Sequence, residues 1–288
     1  MSNKWVNLAG VLGLMVLVLW LSIQISAPLH FGDKITVIVK IEKGQGTKDI
    51  AKDLERQRFI RSSGFFQAYS FLTGTSHKLQ AGEYLLSPSL SLSQIIRKLT
   101  TGDIHTEPIT FVEGWSVKDY PTLLEFLNLE GYLFPDTYLV RTDETPESIV
   151  RRMLQNFDKY FTPQLKKETQ MQKKTILQVV TMASLLEKEV RGLQDRKIVA
   201  GILWKRLSIG MALQVDAAME TYKHPGLPAG PIGNPGMESI LAALYPTESP
   251  YWYYLSTPTG PPGGEASKTI FSKTLDEHNL AKAKYLSY

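Results

Sequence analysis

Cysteine is missing from all 288 residues. Its absence excludes disulfides, thiolate metal sites and cysteine nucleophiles, and it suits a domain outside the cytoplasm that is large enough to fold without covalent staples. Concentrated charge is missing as well. The 32 Lys and Arg residues exceed the 28 Asp and Glu by only 4, and no long basic run gathers them. Nucleic acid is therefore not indicated as a partner, and a mild attraction to anionic polymer or lipid is all the balance supports. Long apolar runs are scarce with one exception, Leu8 to Ile25, which holds no charge and only Ser22 and Gln24 as polar side chains. At about 1.5 Å per residue this run covers most of a bilayer core, with Trp5 and Trp20 placed as interface anchors. The rival reading is a cleaved signal peptide, which needs a shorter apolar region and a small-residue cleavage site. Ser26-Ala27 is a weak site of that kind, so residues 1–30 are expected to be a cytoplasmic tip and a single transmembrane helix. Lys4 precedes the run, and the positive-inside rule leaves the amino terminus in the cytoplasm and the rest outside.

Beyond the apolar run the pattern is mixed. Ile35, Val37, Val39 and Ile41 alternate as in a half-buried strand over 33–41. Gly44 and Gly46 turn the chain, and Thr47 is placed to cap a helix to about Arg56. A second helix fits Ser63 to Leu72, a strand fits Gly82 to Leu86, and Ser91 with Gln94 makes a capping box for a helix closing near Gly102. The spacing of Gly44, Lys48 and Asp49 returns in Gly114, Lys118 and Asp119, which suggests that one strand-turn-helix unit is used twice. Longer helical patterns follow from about Glu130, at 146–160, 174–191 and 195–208, with Asp195 as a cap and Gly210 as a stop. The Pro- and Gly-dense segments 226–236 and 260–264 flank an apolar aromatic strand, Tyr251 to Leu255. The fold class expected is α+β, in three parts: residues 1–30, a small α/β subdomain over 31–120, and a mixed α+β domain over 121–288.

One carboxylate stands out. In the helix after Thr175, positions 176, 180, 183, 187 and 190 share a face and read Ile, Val, Ala, Glu, Val. Glu187 is thus aimed along a buried stripe, whereas Glu189, about 200° further round, should be in water beside Lys188. Loss of hydration favours the neutral form of a glutamate, and this is what a general acid requires. The alternative is a stripe-edge glutamate paired with Arg191 or Arg196.

Several strings in fixed order resemble the endolytic murein transglycosylases, the MltG or YceG-like family. They are Leu79-Gln-Ala-Gly-Glu-Tyr, Glu130-Gly-Tyr-Leu-Phe-Pro-Asp-Thr-Tyr, Ala183-Ser-Leu-Leu-Glu-Lys-Glu, Ile209-Gly-Met-Ala-Leu-Gln-Val-Asp, Gly226-Leu-Pro-Ala-Gly-Pro-Ile-Gly-Asn-Pro-Gly and Phe271-Ser-Lys-Thr-Leu-Asp-Glu-His-Asn. The resemblance implies a LysM-like small subdomain and a catalytic domain that cuts peptidoglycan strands internally outside the membrane, with the bilayer and peptidoglycan synthases as partners. It implies Glu187 as the catalytic acid. No metal or cofactor is required, because the substrate's own C-6 hydroxyl attacks and leaves a 1,6-anhydromuramyl end. Gln214 and Asp216 match a family pair that holds substrate or orients the acid, a polar loop being the alternative. Glu130, Asp136, Tyr222, Asn234, His278 and Asn279 complete the expected substrate-binding set, although Asp136 could simply satisfy turn amides and a lone histidine is more often structural. The chain departs from the family in the nine residues between Asp216 and Gly226, where a long insertion is usual, and in Thr269, where a histidine is frequent. Two other functions compete: a non-catalytic wall-binding scaffold, and a muramidase in which a second carboxylate such as Asp216 directs water.

Overall fold

The computed structural model describes residues 2–30, 32, 35–257 and 268–286, without the side chains of 2–10 and 17. The predicted turn 260–264, and Lys4, Trp5 and the first residues of the predicted anchor as side chains, lie outside what is described. Among the described residues no helix is long and apolar enough to cross a membrane. The chain forms mixed α+β structure in two compact units, residues 1–107 with 139–144, and residues 108–138 with 145–288.

The first unit contains helix α1 (Ser2–Ser26), strand β1 (Val37–Ile41), helices α2 (Thr47–Arg56) and α3 (Ser63–Leu72), strand β2 (Gly82–Leu86) and helix α4 (Leu92–Thr101). β1 and β2 pair antiparallel, from Val37 opposite Leu86 to Ile41 opposite Gly82. The apolar faces of α2 and α4 close over this ribbon, burying Val39, Ile41, Ile50, Leu54, Tyr84, Ile95 and Leu99. The predicted strand is shorter than its alternation, because Ile35 and Val37 remain exposed and only Val39 and Ile41 reach the core. The Ser91–Gln94 capping box forms as read. Thr47 does not cap α2: Gly46 occupies that position without a side-chain bond, and the Thr47 hydroxyl donates to the Ser76 carbonyl instead.

The second unit is built on helices. The paired strands β3 (Glu107–Thr110) and β4 (Thr137–Val140) are each divided between the two residue sets, and wholly within the second come α5 (Pro146–Tyr160), α6 (Pro163–Met171), α7 (Ile176–Glu189), α8 (Leu193–Ser208) and α9 (Met237–Leu244). β5 (Tyr253–Ser256) pairs antiparallel with β6 (Thr269–Ser272), and α10 (Leu275–Tyr285) follows. α9 packs on both α7 and α8, and the Trp204 indole donates to the Ala243 carbonyl at 2.9 Å. α7 is buried from Val179 through Leu186 on every face. The single apolar stripe read from the sequence therefore does not describe it. α8 begins two residues before its expected cap, with Gly192 in the cap position, so Asp195 lies in its first turn rather than at its start. The repeat expected from Gly44 and Gly114 appears in the turn, both having φ near +80°, but the second copy continues as the 3-10 segments Val117–Asp119 and Pro121–Leu129 rather than as an α-helix.

Candidate active site

The sequence motifs converge on two places in the second unit, separated by which way the end of α7 points its two glutamates. Glu187 faces inward. Its side chain is 5% exposed, Arg196 Nη2 donates to its Oε1 at 2.5 Å, and the Gly236 amide donates to its Oε2 at 2.9 Å. The same guanidinium reaches Glu238 at 3.3 Å and the Val190 carbonyl at 3.0 Å. Two glycines let the loops approach this pair closely. Gly114 has φ +80°, and a Cβ there would stand 3.1 Å from Glu187 Cγ. A Cβ on Gly236 would fall 2.0 Å from Glu113 Oε1. Burial, and then the nearby Glu187 charge, push the Glu113 carboxyl up. The cation-paired alternative is thus the arrangement found, and both Glu187 oxygens are already engaged.

Asn234, Glu130 and Asp136 also serve the frame. Asn234 Oδ1 accepts the amides of Gly131 at 2.8 Å and Leu133 at 3.1 Å, while its Nδ2 donates to Glu130 Oε1 at 2.9 Å. Glu130 further accepts from the Ser116 hydroxyl at 2.6 Å and the Val117 amide at 3.0 Å. Asp136 accepts the Thr137 amide at 2.7 Å, the turn role weighed for it above. These contacts tie the 114–117 and 130–133 segments to the 226–236 loop.

The other expected residues gather in a cleft of about 370 Å³, lined by Gln214, Asp216, Tyr222, His278 and Asn279 together with Glu189. Glu189 is the residue that sequence reasoning missed. It was expected in water, yet it is half-buried, and the Ala217 amide donates to its Oε1 at 2.8 Å. Burial raises its proton affinity most, and the Asp216 charge adds to this. Tyr254 Oη faces it closely enough for each to shift the other, though short of a well-formed hydrogen bond. The Tyr254 hydroxyl itself is pushed well above its ordinary value by burial and by Glu189. Across the cleft the Tyr222 hydroxyl donates to Asp216, and burial with that bond raises it to about 12. His278 stacks on Tyr253 with ring centroids 5.3 Å apart, and burial, followed by the charges of Lys282 and Arg206, lowers its pKa. It is therefore neutral at pH 7. Among the described residues no cluster of His, Asp and Glu could hold a metal.

A carboxyl of raised proton affinity at the edge of a tyrosine-lined cleft, with amide and carboxylate neighbours, has the ingredients of acid–base chemistry. The chain belongs to the YceG-like family, whose sequence model matches residues 39–220 and 219–284. The two matched stretches meet at the short loop after Asp216. The chain is 32% identical to the endolytic murein transglycosylase of Bacillus subtilis, over 90% of this chain and 88% of that protein. It is 25% identical to the protein of the same name from Streptococcus pneumoniae, again over 90% of this chain but only 60% of that longer protein. A crystal structure of a YceG-like protein from Listeria monocytogenes shares the fold with a TM-score of 0.52 and 29% identity, covering 86% of this chain and all of the other.

Proposed function

We propose that this protein is a membrane-anchored lytic transglycosylase that cleaves the bond between N-acetylmuramic acid and N-acetylglucosamine within peptidoglycan strands, and that Glu189 rather than Glu187 is its acid and base. The observation that carries the assignment is that Glu189 opens on the cleft with a raised proton affinity, whereas both oxygens of Glu187 are occupied inside the protein. Protonated Glu189 donates to the glycosidic oxygen, and the C-1 to oxygen bond breaks. The resulting carboxylate then takes the proton of the C-6 hydroxyl as that oxygen bonds to C-1. The products are a 1,6-anhydromuramyl end and a free hydroxyl on the departing sugar, with no water consumed. Enzymes that add water generally need a second carboxylate to direct it. Here the other carboxylate lining the cleft, Asp216, is held by the Tyr222 hydroxyl. Glu187 and Arg196 act as the strut beneath the 226–236 loop.

The anchor and a domain outside the cytoplasmic membrane complete the reading, supported by the uncharged run 8–25. The first unit serves as a LysM-like module that steadies the strand, and synthases that make the strands are the expected neighbours. Mass spectrometry of muropeptides from uncrosslinked strands tests the chemistry with wild type, Glu189→Gln and Glu187→Gln. Anhydro ends that disappear in Glu189→Gln and persist at reduced yield in Glu187→Gln support the assignment. Anhydro ends from Glu189→Gln at the wild-type rate would sink it, and reducing ends would identify a hydrolase.

A further inference from the structure

Resting on that reading of the cleft, the structure assigns Arg206 and Lys282 to a carboxylate-binding subsite that reads the acidic substituent of muramic acid. Arg206 lies on α8 and is 3% exposed. Its Nε donates to the Trp252 carbonyl at 2.9 Å and its Nη1 to the Leu213 carbonyl at 2.6 Å. Both partners are neutral. Among the described residues no carboxylate comes within 4.0 Å of this guanidinium, and Nη2 has no hydrogen-bond partner there. A buried cation without a counter-ion is costly unless a ligand supplies the charge, and Arg206 lines the cleft rather than the closed core. A cleft-lining guanidinium with donors left over is suited to the planar carboxylate.

Lys282 contributes the second charge. It lies one helical turn after His278 on α10, lines the same cleft, and forms no ion pair among the described residues. Both cations neighbour His278 in the cleft lining. Glu189 and Asp216 line the same cleft. It therefore carries both signs of charge, with the guanidinium of Arg206 over the Tyr253 ring at 5.1 Å. A neutral glycan gains nothing from those cations. Muramic acid carries a lactyl carboxylate, free in strands stripped of peptide and otherwise extended by a peptide that bears its own carboxylates. A strand seated with that group at Arg206 and Lys282 has its register fixed, which sets which sugar falls at the acid.

The test uses the full-length protein in detergent with four substrates: stripped strands and peptide-bearing strands, each with carboxylates free or converted to methylamides. The subsite predicts a KM about 10-fold lower for the free acid than for its amide, of the size of one charged hydrogen bond, with kcat little changed. The peptide-bearing and stripped pairs tell which carboxylate is read. In Lys282→Met the amide-to-acid KM ratio falls towards 1, and in Arg206→Lys it falls part of the way. Equal KM values for acid and amide in both pairs, or a Lys282→Met loss that is the same on acid and amide, would overturn the subsite. Equilibrium binding of the same strands to Glu189→Gln keeps the question separate from catalysis. A preference for the acid there supports the subsite even if the wild type makes no anhydro ends, and no preference refutes it even if it does.

Discussion

Glu187 and Glu189 stand two positions apart on one helix and have opposite electrostatic fates. Glu189 is the last residue of α7, where the partial negative charge of the helix end disfavours a carboxylate, and burial adds to this. Its pKa is higher folded than unfolded, so the stability it contributes is complete below the unfolded value near 4.3 and is lost as pH rises through the folded one. Glu189→Gln should therefore raise the melting temperature at pH 7 and change it little at pH 4, and calorimetry at the two values decides this. Activity has the same sign, since the first step needs the protonated acid. The alkaline limb of kcat/KM should fall as Glu189 ionises, and a pH profile flat from 4 to 9 would exclude it as the acid. Glu187→Gln has the reverse effect on the fold. It leaves Arg196 without its buried counter-ion and should cost about 3 kcal/mol, read as a lower urea midpoint. The stripe argument chose Glu187 because it assumes one dry face and one wet face. α7 has neighbours all round, so periodicity found the helix and could not say which glutamate opens on the cleft.

At the scale of elements, local chemistry was legible and long-range pairing was not. The helix predicted over 146–160 has those bounds, and Ser63 to Leu72 likewise forms as read, because caps and turn glycines act within a few residues. β6 was missed. Its four residues, Thr269–Ser272, acquire strand geometry only by pairing with β5 across residues 258–267. α9 was passed over because it starts directly after the Gly- and Pro-rich loop and owes its stability to α7 and α8 rather than to propensity. The short segment after Asp216 is held from within by Thr221, which is 1% exposed. Its hydroxyl accepts the Val215 amide at 2.9 Å and donates to the Ala218 carbonyl at 2.7 Å. Thr221→Val keeps the shape and removes both bonds, stranding a buried amide. It should cost about 1–3 kcal/mol and also raise KM, because Asp216 and Tyr222 are carried on this turn. A loss of stability with KM unchanged would show that the turn does not shape the cleft.

For the whole molecule, the decisive question is how the amino-terminal run is joined to the folded part. Trp20 meets Phe65 edge-on at 5.1 Å. The Arg61 guanidinium donates to the carbonyls of Ala27 at 2.9 Å and Pro28 at 2.5 Å, and the amides of Leu29 and His30 both donate to the Pro88 carbonyl at 3.1 Å. Residues 27–30 therefore belong to the folded unit. This placement argues for an uncleaved segment, since cleavage after Ser26 would discard the Trp20 contact and leave a charged terminus beside Arg61. If 8–25 is a membrane anchor, the first unit is held close to the bilayer surface without a flexible tether. Full-length protein should then stay with membranes through alkaline carbonate washing, and deletion of residues 2–26 should release it while anhydro product is still formed. Deletion through His30 should release it too, but with a lower melting temperature, because four hydrogen bonds of residues 27–30 are lost. Recovery of the full-length chain in the carbonate supernatant would refute the anchor. A mature amino terminus at residue 27 would instead establish the signal peptide, and would require that the first unit fold without the end of α1.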